Sequence, residues 1–148
     1  KLEIPIMIDY AHSPESLENI LQAVKTYTKG RVIVVFGCGG DRDTGKRPLM
    51  GEIAGRIADY SIVTSDNPRT EDPEAIVKDI EAGISKTKGK YEIIVDRREA
   101  IKKAIEMANK KDLVILAGKG HEPYQEINKV KYPFDEREIV KEIINNMK

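Results

Sequence analysis

Residues 65–69, with the sequence Ser-Asp-Asn-Pro-Arg, place an acid, an amide and a guanidinium in one short turn. The turn follows an apolar run that predicts a strand, and it precedes Asp72 and Pro73, which are typical of a helix start. Asp66 and Arg69 could simply pair with each other at the surface. The sharper hypothesis is a site for a zwitterion, in which Asp66 faces an ammonium and Arg69 grips a carboxylate through its planar fork.

A second polar loop, residues 40–47, matches most of a phosphate-binding P-loop and lies between a predicted strand and a predicted helix. However, Arg47 stands where a Ser or Thr should bind Mg²⁺, and Asp41 and Asp43 would repel a phosphate. One alternative is therefore a stand-alone nucleotide-binding module that uses Gly40 to Lys46. We favour a loop that aims Arg42 at an anionic group, with glycines that permit close backbone approach.

A third polar stretch, residues 118–122 with the sequence Gly-Lys-Gly-His-Glu, follows another apolar run. It could be a mere turn, since glycines punctuate turns throughout proteins. As part of a site, Glu122 would be a second anion for an ammonium, and the Gly118 backbone would form hydrogen bonds. No role is assigned to His121. His12 is either a neighbour of a helix start or a phosphate contact, and we favour the contact.

The order of the predicted elements indicates how these stretches meet. Apolar runs predict strands at residues 4–8, 31–36, 60–64, 91–95 and 112–117, and helical spacing predicts helices that begin at Pro14, Pro48, Pro73, Arg97 and Asp135. Residues 124–130 predict a short edge strand. This alternation is typical of an α/β, Rossmann-like fold, in which helices cover both faces of a mostly parallel sheet. The loops that follow the strands then share one edge, where ligands bind.

Composition excludes several classes of protein. The 148 residues are enough for one domain, and 25 basic residues balance 25 acidic ones, which argues against a nucleic-acid binder with a broad basic surface. No run is apolar enough to span a membrane, and we expect no signal peptide. The single cysteine, Cys38, fits a reducing cytosol, and we expect it to be a small packed residue. Because the chain begins at Lys1 inside an apolar run, we expect a piece of a longer protein.

Four motifs, in this order, resemble the C-terminal domain of the Mur ligases. They are Asp9-Tyr10-Ala11-His12-Ser13-Pro14, Phe36-Gly37-Cys38-Gly39-Gly40-Asp41-Arg42-Asp43, Asp66-Asn67-Pro68-Arg69 and Gly118-Lys119-Gly120-His121-Glu122. The resemblance covers nearly the whole chain. It implies that residues 1–148 are a Rossmann-like domain of a cytoplasmic, ATP-dependent ligase that joins an amino acid to UDP-MurNAc-L-Ala-D-Glu in peptidoglycan synthesis. It also implies that the uridine-binding domain and the central domain, which holds ATP and Mg²⁺, lie outside this chain, so that the chain alone is inactive.

The resemblance also implies a set of site residues. The contacts to the incoming amino acid would be Arg42, Asp66, Asn67, Pro68, Arg69, Gly118 and Glu122. Asp9, Tyr10 and His12 would face ATP bound by the central domain, and no catalytic residue or metal ligand is assigned. The amino acid implied is meso-diaminopimelate, whose second carboxylate lysine lacks. An arginine buried without its carboxylate would penalise lysine by roughly 1–3 kcal/mol. A non-catalytic, flavodoxin-like interaction domain would instead tolerate changes along this edge.

Overall fold

A computed structural model describes residues 4–147. Its centre is a five-stranded sheet formed by β1 (Ile6–Asp9), β2 (Val32–Phe36), β3 (Tyr60–Val63), β4 (Lys90–Ile93) and β5 (Leu113–Ala117). The strand order is β1-β5-β2-β3-β4, and every neighbouring pair is parallel. The predicted α/β fold with a parallel sheet is confirmed, and each strand lies within a few residues of its predicted position.

Five helices alternate with these strands: α1 (Pro14–Lys25), α2 (Lys46–Ile57), α3 (Pro73–Ile84), α4 (Arg97–Met107) and α5 (Glu136–Asn146). Four of them begin with a side chain that accepts a hydrogen bond from a backbone N–H of the first turn, namely Ser13, Asp72, Asp96 and Asp135. Helix α2 starts after Gly45 without such a cap, so Pro48 lies inside its first turn instead of opening it. No helix in residues 4–147 is both long and apolar enough to cross a membrane.

The helices form a layer on each face of the sheet. Side chains alternate along β2, so that Val32 and Val34 pack with α1, α2 and α3, while Ile33 and Val35 pack with α4 and α5. The change of face follows from right-handed crossovers, because the chain reverses direction across the sheet after β4. The neighbouring strands β2 and β5 therefore send their connections to opposite faces. Such a point leaves a crevice at the carboxyl ends of the strands.

The tail forms a separate hairpin, β6 (Tyr124–Ile127) and β7 (Val130–Pro133), instead of adding the expected edge strand to the main sheet. Its turn residues Asn128 and Lys129 have φ of 50° and 67°, as a two-residue hairpin turn of the primed type requires. The hairpin packs on the loop after β3, where the Arg69 N–H donates to the Glu126 carbonyl at 3.0 Å. The tail thus lies against the loop after β3, at the carboxyl edge of the sheet.

A buried ion pair between α4 and α5 lies beside the carboxyl ends of β3 and β5. Arg97 Nε donates to Glu136 Oε2 at 2.7 Å, and both side chains are fully buried. The same guanidinium donates to the carbonyls of Ser65 and Ala117, each at 3.0 Å. Burial disfavours the charged guanidinium, but the Glu136, Asp66 and Glu122 carboxylates together outweigh burial and raise the pKa of Arg97. Arg97 therefore fixes the ends of β3 and β5 relative to α5.

Arg97→Met should lower the free energy of unfolding by about 3–5 kcal/mol, because it leaves the Glu136 carboxylate buried without its partner. Urea denaturation measures the change. Arg98→Met is the matched control, since the neighbouring Arg98 pairs with Glu142 at the surface, and it should change stability by at most about 1 kcal/mol. Equal effects of the two substitutions would contradict the role given to Arg97.

Candidate functional site

The loops after β1, β2, β3 and β5 enclose a cleft of about 340 Å³ at the carboxyl edge of the sheet. Its lining residues are Tyr10, His12, Gly37, Cys38, Gly39, Arg42, Lys46, Asp66, Asn67, Arg69, Gly118 and Glu122. The cleft thus brings together all the predicted site residues except Asp9 and Pro68. Those two support the loops from behind, since the Asp9 carbonyl accepts the Gly118 N–H at 3.0 Å and the Pro68 carbonyl lies against Gly40.

The acidic side of the cleft is organised around Lys119, which is fully buried. Its Nζ lies 2.9 Å from Asn67 Oδ1, 3.3 Å from Asp66 Oδ1 and 3.5 Å from Glu122 Oε1. Asp66 and Glu122 were predicted to face the ammonium of a substrate, and here an ammonium of the protein already bridges them. Sequence reasoning missed Lys119, whose only signal was its position inside the motif of residues 118–122.

Asn67 connects the acidic side to the hairpin. Its Oδ1 accepts the backbone N–H of Glu126 at 2.9 Å, and its Nδ2 donates to Glu122 Oε1 at 3.3 Å. Beside it, Gln125 Nε2 donates to the Asp66 carbonyl at 2.7 Å. These bonds hold residues 66 and 67 from behind, so their side chains are fixed before any ligand arrives.

The cationic side carries Arg42 and Arg69, which flank Gly39. A Cβ at Gly39 would lie 2.8 Å from Arg69 Nη1 and 3.6 Å from Arg42 Cγ. Arg69 Nε lies 3.3 Å from Glu126 Oε1, so Arg69 pairs with the hairpin. The alternative in which Arg69 pairs with Asp66 at the surface is therefore wrong. Arg42 is exposed, and its Nη1 donates to the carbonyl of Asp41 at 3.1 Å.

The family of this chain follows from comparison with known proteins. The family model described as "Mur ligase, glutamate ligase domain" matches residues 2–120. The chain belongs to the Mur ligase family. It is 56% identical over 144 residues to the UDP-N-acetylmuramoyl-L-alanyl-D-glutamate–2,6-diaminopimelate ligase of Clostridioides difficile. It is 60% identical over 139 residues to the ligase of that name in Caldanaerobacter subterraneus subsp. tengcongensis.

This Mur ligase chain matches only part of each relative. The two alignments cover 97% and 94% of the chain but 30% and 29% of the relatives, so the chain spans about 30% of their length. A solved structure of a UDP-N-acetylmuramoyl-L-alanyl-D-glutamate–2,6-diaminopimelate ligase superposes with a TM-score of 0.94 at 48% identity, over 99% of this chain and 30% of that one. The fold and the loop positions described above are therefore those of the family.

The glycine-rich loop of this Mur ligase chain differs from a P-loop in its hydrogen bonds. A P-loop offers its backbone N–H groups to phosphate, whereas several of them here donate within the protein. The donors are the N–H of Gly40 to the Asn67 carbonyl, that of Asp41 to Glu71 Oε1 and that of Gly45 to Asp43 Oδ1, at 2.7, 2.7 and 2.8 Å. Lys46 Nζ donates to the His12 carbonyl at 3.0 Å. This geometry favours the interpretation in which the loop positions Arg42, and it argues against the interpretation in which the loop binds a nucleotide.

Arg47, at the position where a P-loop has Ser or Thr, fastens the loop to its neighbours. Its side chain is 1% exposed and donates to the two Glu71 carboxylate oxygens at 2.7 and 3.0 Å and to Asp79 Oδ2 at 3.0 Å. It also donates to the Gly39 carbonyl at 3.1 Å. The hydrogen bond from Arg47 lowers the pKa of the Glu71 carboxyl below its ordinary value.

The remaining residues of the lining have simpler environments. Cys38 is buried beside Met50, as expected for a packed residue, and burial raises the pKa of its thiol to about 12. Tyr10 is 55% exposed, and its ring lies edge-on to that of His12 with centroids 4.6 Å apart. Within residues 4–147, no three His, Cys, Asp or Glu side chains are grouped as metal ligands would be.

A more open groove of about 960 Å³ lies at the opposite edge of the sheet, near the amino ends of β3 and β4. Lysines at positions 86, 88 and 90 contribute to its lining, together with Asp59. This groove contains none of the residues that the sequence indicated, so the smaller cleft at the carboxyl edge is the candidate site.

The contact between Arg47 and Glu71 predicts a pH dependence of stability. Because the pKa of Glu71 is lowered from 4.5 by folding, its contribution is complete above that pH and is lost as the pH falls through the lower folded-state value. Glu71→Gln should therefore make stability fall less steeply below about pH 4.5, as measured by urea denaturation at a series of pH values. Glu74→Gln removes a carboxylate from the same segment but leaves the Arg47 contact. An acid dependence of Glu71→Gln equal to that of the wild type would contradict the assignment.

Proposed function

We propose that this chain is the amino-acid-binding, C-terminal domain of an ATP-dependent ligase that adds meso-diaminopimelate to UDP-MurNAc-L-Ala-D-Glu in cytoplasmic peptidoglycan synthesis. The names of the relatives at 56% and 60% identity support this reaction. The observation that carries the proposal is the cleft, with Arg42 and Arg69 on one side and Asp66 and Glu122 on the other. The far end of diaminopimelate bears both a carboxylate and an ammonium, and it needs partners of both signs.

The arginines explain why diaminopimelate would be preferred to lysine. Arg42 is exposed at the cleft and has a main-chain partner one residue away, so a carboxylate is its natural second partner. A guanidinium binds a carboxylate through two parallel hydrogen bonds. Lysine has no carboxylate at its far end, so it would exclude water from the guanidinium without supplying a hydrogen-bond acceptor. That mismatch corresponds to about 1–3 kcal/mol against lysine.

The role of the domain in the reaction would be positioning. In the proposed ligase, ATP phosphorylates the carboxylate of the dipeptide substrate. The amine nitrogen of diaminopimelate then bonds to that carbonyl carbon as the bond to phosphate breaks, and the amine loses a proton. Holding the amine in the direction of attack can contribute up to about 7–11 kcal/mol. No described residue of the chain is assigned as the base.

ATP and Mg²⁺ would be held by the part of the full-length ligase outside this chain, in its central domain. The internal hydrogen bonds of the glycine-rich loop support this division, because they engage the N–H groups that a phosphate would need. Tyr10 and His12 are exposed at the rim, where they would face the nucleotide when the domains close. Asp9 would shape that loop, since its Oδ2 accepts the Ala11 N–H at 2.8 Å. Closure would also exclude water from the acyl phosphate. We therefore expect the chain alone to be inactive.

Arg42→Ala in the full-length ligase should raise KM for meso-diaminopimelate about tenfold or more, because a charged hydrogen bond contributes about 1.5–3 kcal/mol. KM for ATP should stay the same. Steady-state ligation assays with each substrate varied in turn measure both constants.

Arg56→Ala is the matched control, since Arg56 is an exposed arginine that lines the groove at the opposite edge. It should leave both constants unchanged. An unchanged KM for diaminopimelate in Arg42→Ala would argue against the proposal and for a non-catalytic interaction domain that tolerates changes at this edge.

A further inference from the structure

We propose that Lys119 determines which amino acid the cleft accepts, by setting the net charge of the subsite for the far end of that amino acid. The inference rests on the proposed function above and adds a residue that makes no direct contact with the substrate. Lys119 acts through Asp66 and Glu122, so it is a positioning residue.

The geometry puts Lys119 behind the carboxylates that face the cleft. The side chains of Asp66 and Glu122 are 10% and 24% exposed, whereas that of Lys119 is 0% exposed. The ammonium contacts one oxygen of each carboxylate, Oδ1 of Asp66 and Oε1 of Glu122. The second oxygen of each carboxylate is then left for an incoming ammonium. Lys119 thus neutralises part of the acidic side without occupying the cleft.

Lys119 cancels one of the two negative charges on the acidic side of the cleft, which Asp66 and Glu122 form. The other charged side chains of the lining are cationic, namely Arg42, Lys46 and Arg69. The far end of diaminopimelate is neutral, because its ammonium and carboxylate cancel, whereas the far end of lysine is a bare cation. An acidic side with one net negative charge attracts a bare cation less strongly than an acidic side with two.

Loss of the Lys119 ammonium would leave the acidic side with both negative charges, those of Asp66 and Glu122. Such a subsite would attract the cationic end of lysine and repel the added carboxylate of diaminopimelate. Lys119 lies 3.3 and 3.5 Å from the two carboxylates and the groups are mostly removed from water, so the change is weakly screened. A lysine that served packing alone would not change the ratio between the two substrates.

The test is Lys119→Met in the full-length ligase, with kcat/KM measured for meso-diaminopimelate and for L-lysine. The ratio of the two values should fall about tenfold or more in favour of lysine, because one unit charge is removed near the charged ends. Lys131→Met is the matched control. The Lys131 ammonium lies 4.5 Å from the centre of the Tyr124 ring, which Lys119 also approaches at 5.8 Å, but Lys131 is exposed outside the cleft. It should leave the ratio unchanged.

The outcomes separate this inference from the proposed function. A wild-type ligase that uses lysine as well as diaminopimelate would refute the proposed function, and the inference with it. A wild-type preference for diaminopimelate, with both rates reduced by the same factor in Lys119→Met, would leave the proposed function standing and overturn the inference.

Two further measurements cover the case in which Lys119→Met does not fold. The double substitution Lys119→Met with Glu122→Gln removes one cation and one anion, and its substrate ratio should return towards that of the wild type. In the wild-type ligase itself, the side-chain ¹⁵N resonance of Lys119 should shift when meso-diaminopimelate is added and should not shift with ATP alone. A resonance that does not respond to diaminopimelate overturns the inference.

Discussion

One buried guanidinium sets the distance between the loops that form the cleft. Strands β3 and β5 are not neighbours, because β2 lies between them, yet Arg97 donates to the carbonyl of Ser65, two residues after β3, and to that of Ala117, the last residue of β5. The next residues in each loop, Asp66 and Gly118, line the cleft. The cost of burying Arg97 is offset by Glu136 and by these carbonyls. The positions of the two loops therefore depend on hydrogen bonds from one buried side chain to their backbone carbonyls.

Close approach of the backbone at glycines also holds the loops of the cleft together. A Cβ at Gly118 would lie 2.9 Å from Asp66 Oδ2, and the φ of Gly118 is 115°, a conformation that favours glycine. A Cβ at Gly40 would lie 1.8 Å from the Pro68 carbonyl, which is closer than atoms can approach. The glycines of the motifs therefore allow three loops to pack against one another. The polar side chains can lie close together because the glycines between them have no side chains.

The sequence predicted the architecture and the edge of the sheet at which the polar residues of the candidate cleft meet, because both follow from local patterns. Alternating strand and helix signals imply a parallel sheet, and right-handed crossovers then bring Asp66, Arg42 and Glu122 to one rim. The local patterns did not predict which charged side chains pair with one another within the rim. A lysine between two glycines reads as exposed, and its burial depends on contacts with residues 52 and 53 positions earlier in the chain.

The hairpin was missed for a related reason. Its turn is formed by Asn128 and Lys129, without the glycine that usually marks such turns. Residues 124–130 therefore resembled a single short strand. The hairpin supplies Glu126, which pairs with Arg69, so a residue of the tail that the sequence had not indicated contacts the cleft. Contacts between distant segments decide which opposite charges meet, and no local pattern records them.

The two arginines of the cleft differ in how firmly they are held, and this divides their roles. Arg69 is tied to Glu126 and to the Gly40 carbonyl at 3.1 Å, so it belongs to the rigid wall. Arg42 is exposed on the glycine-rich loop, and in the proposed function its ligand would order it. Ordering such a side chain costs up to about 1.5–2 kcal/mol of rotamer entropy, which is comparable to the roughly 1.5–3 kcal/mol that a charged hydrogen bond contributes. The two nearly cancel while the cleft is open to water, so strong selection through Arg42 requires a partner that closes the cleft. In the proposed function, a domain that depends on closure for its selectivity would bind its substrate tightly only when the other reactants are in place.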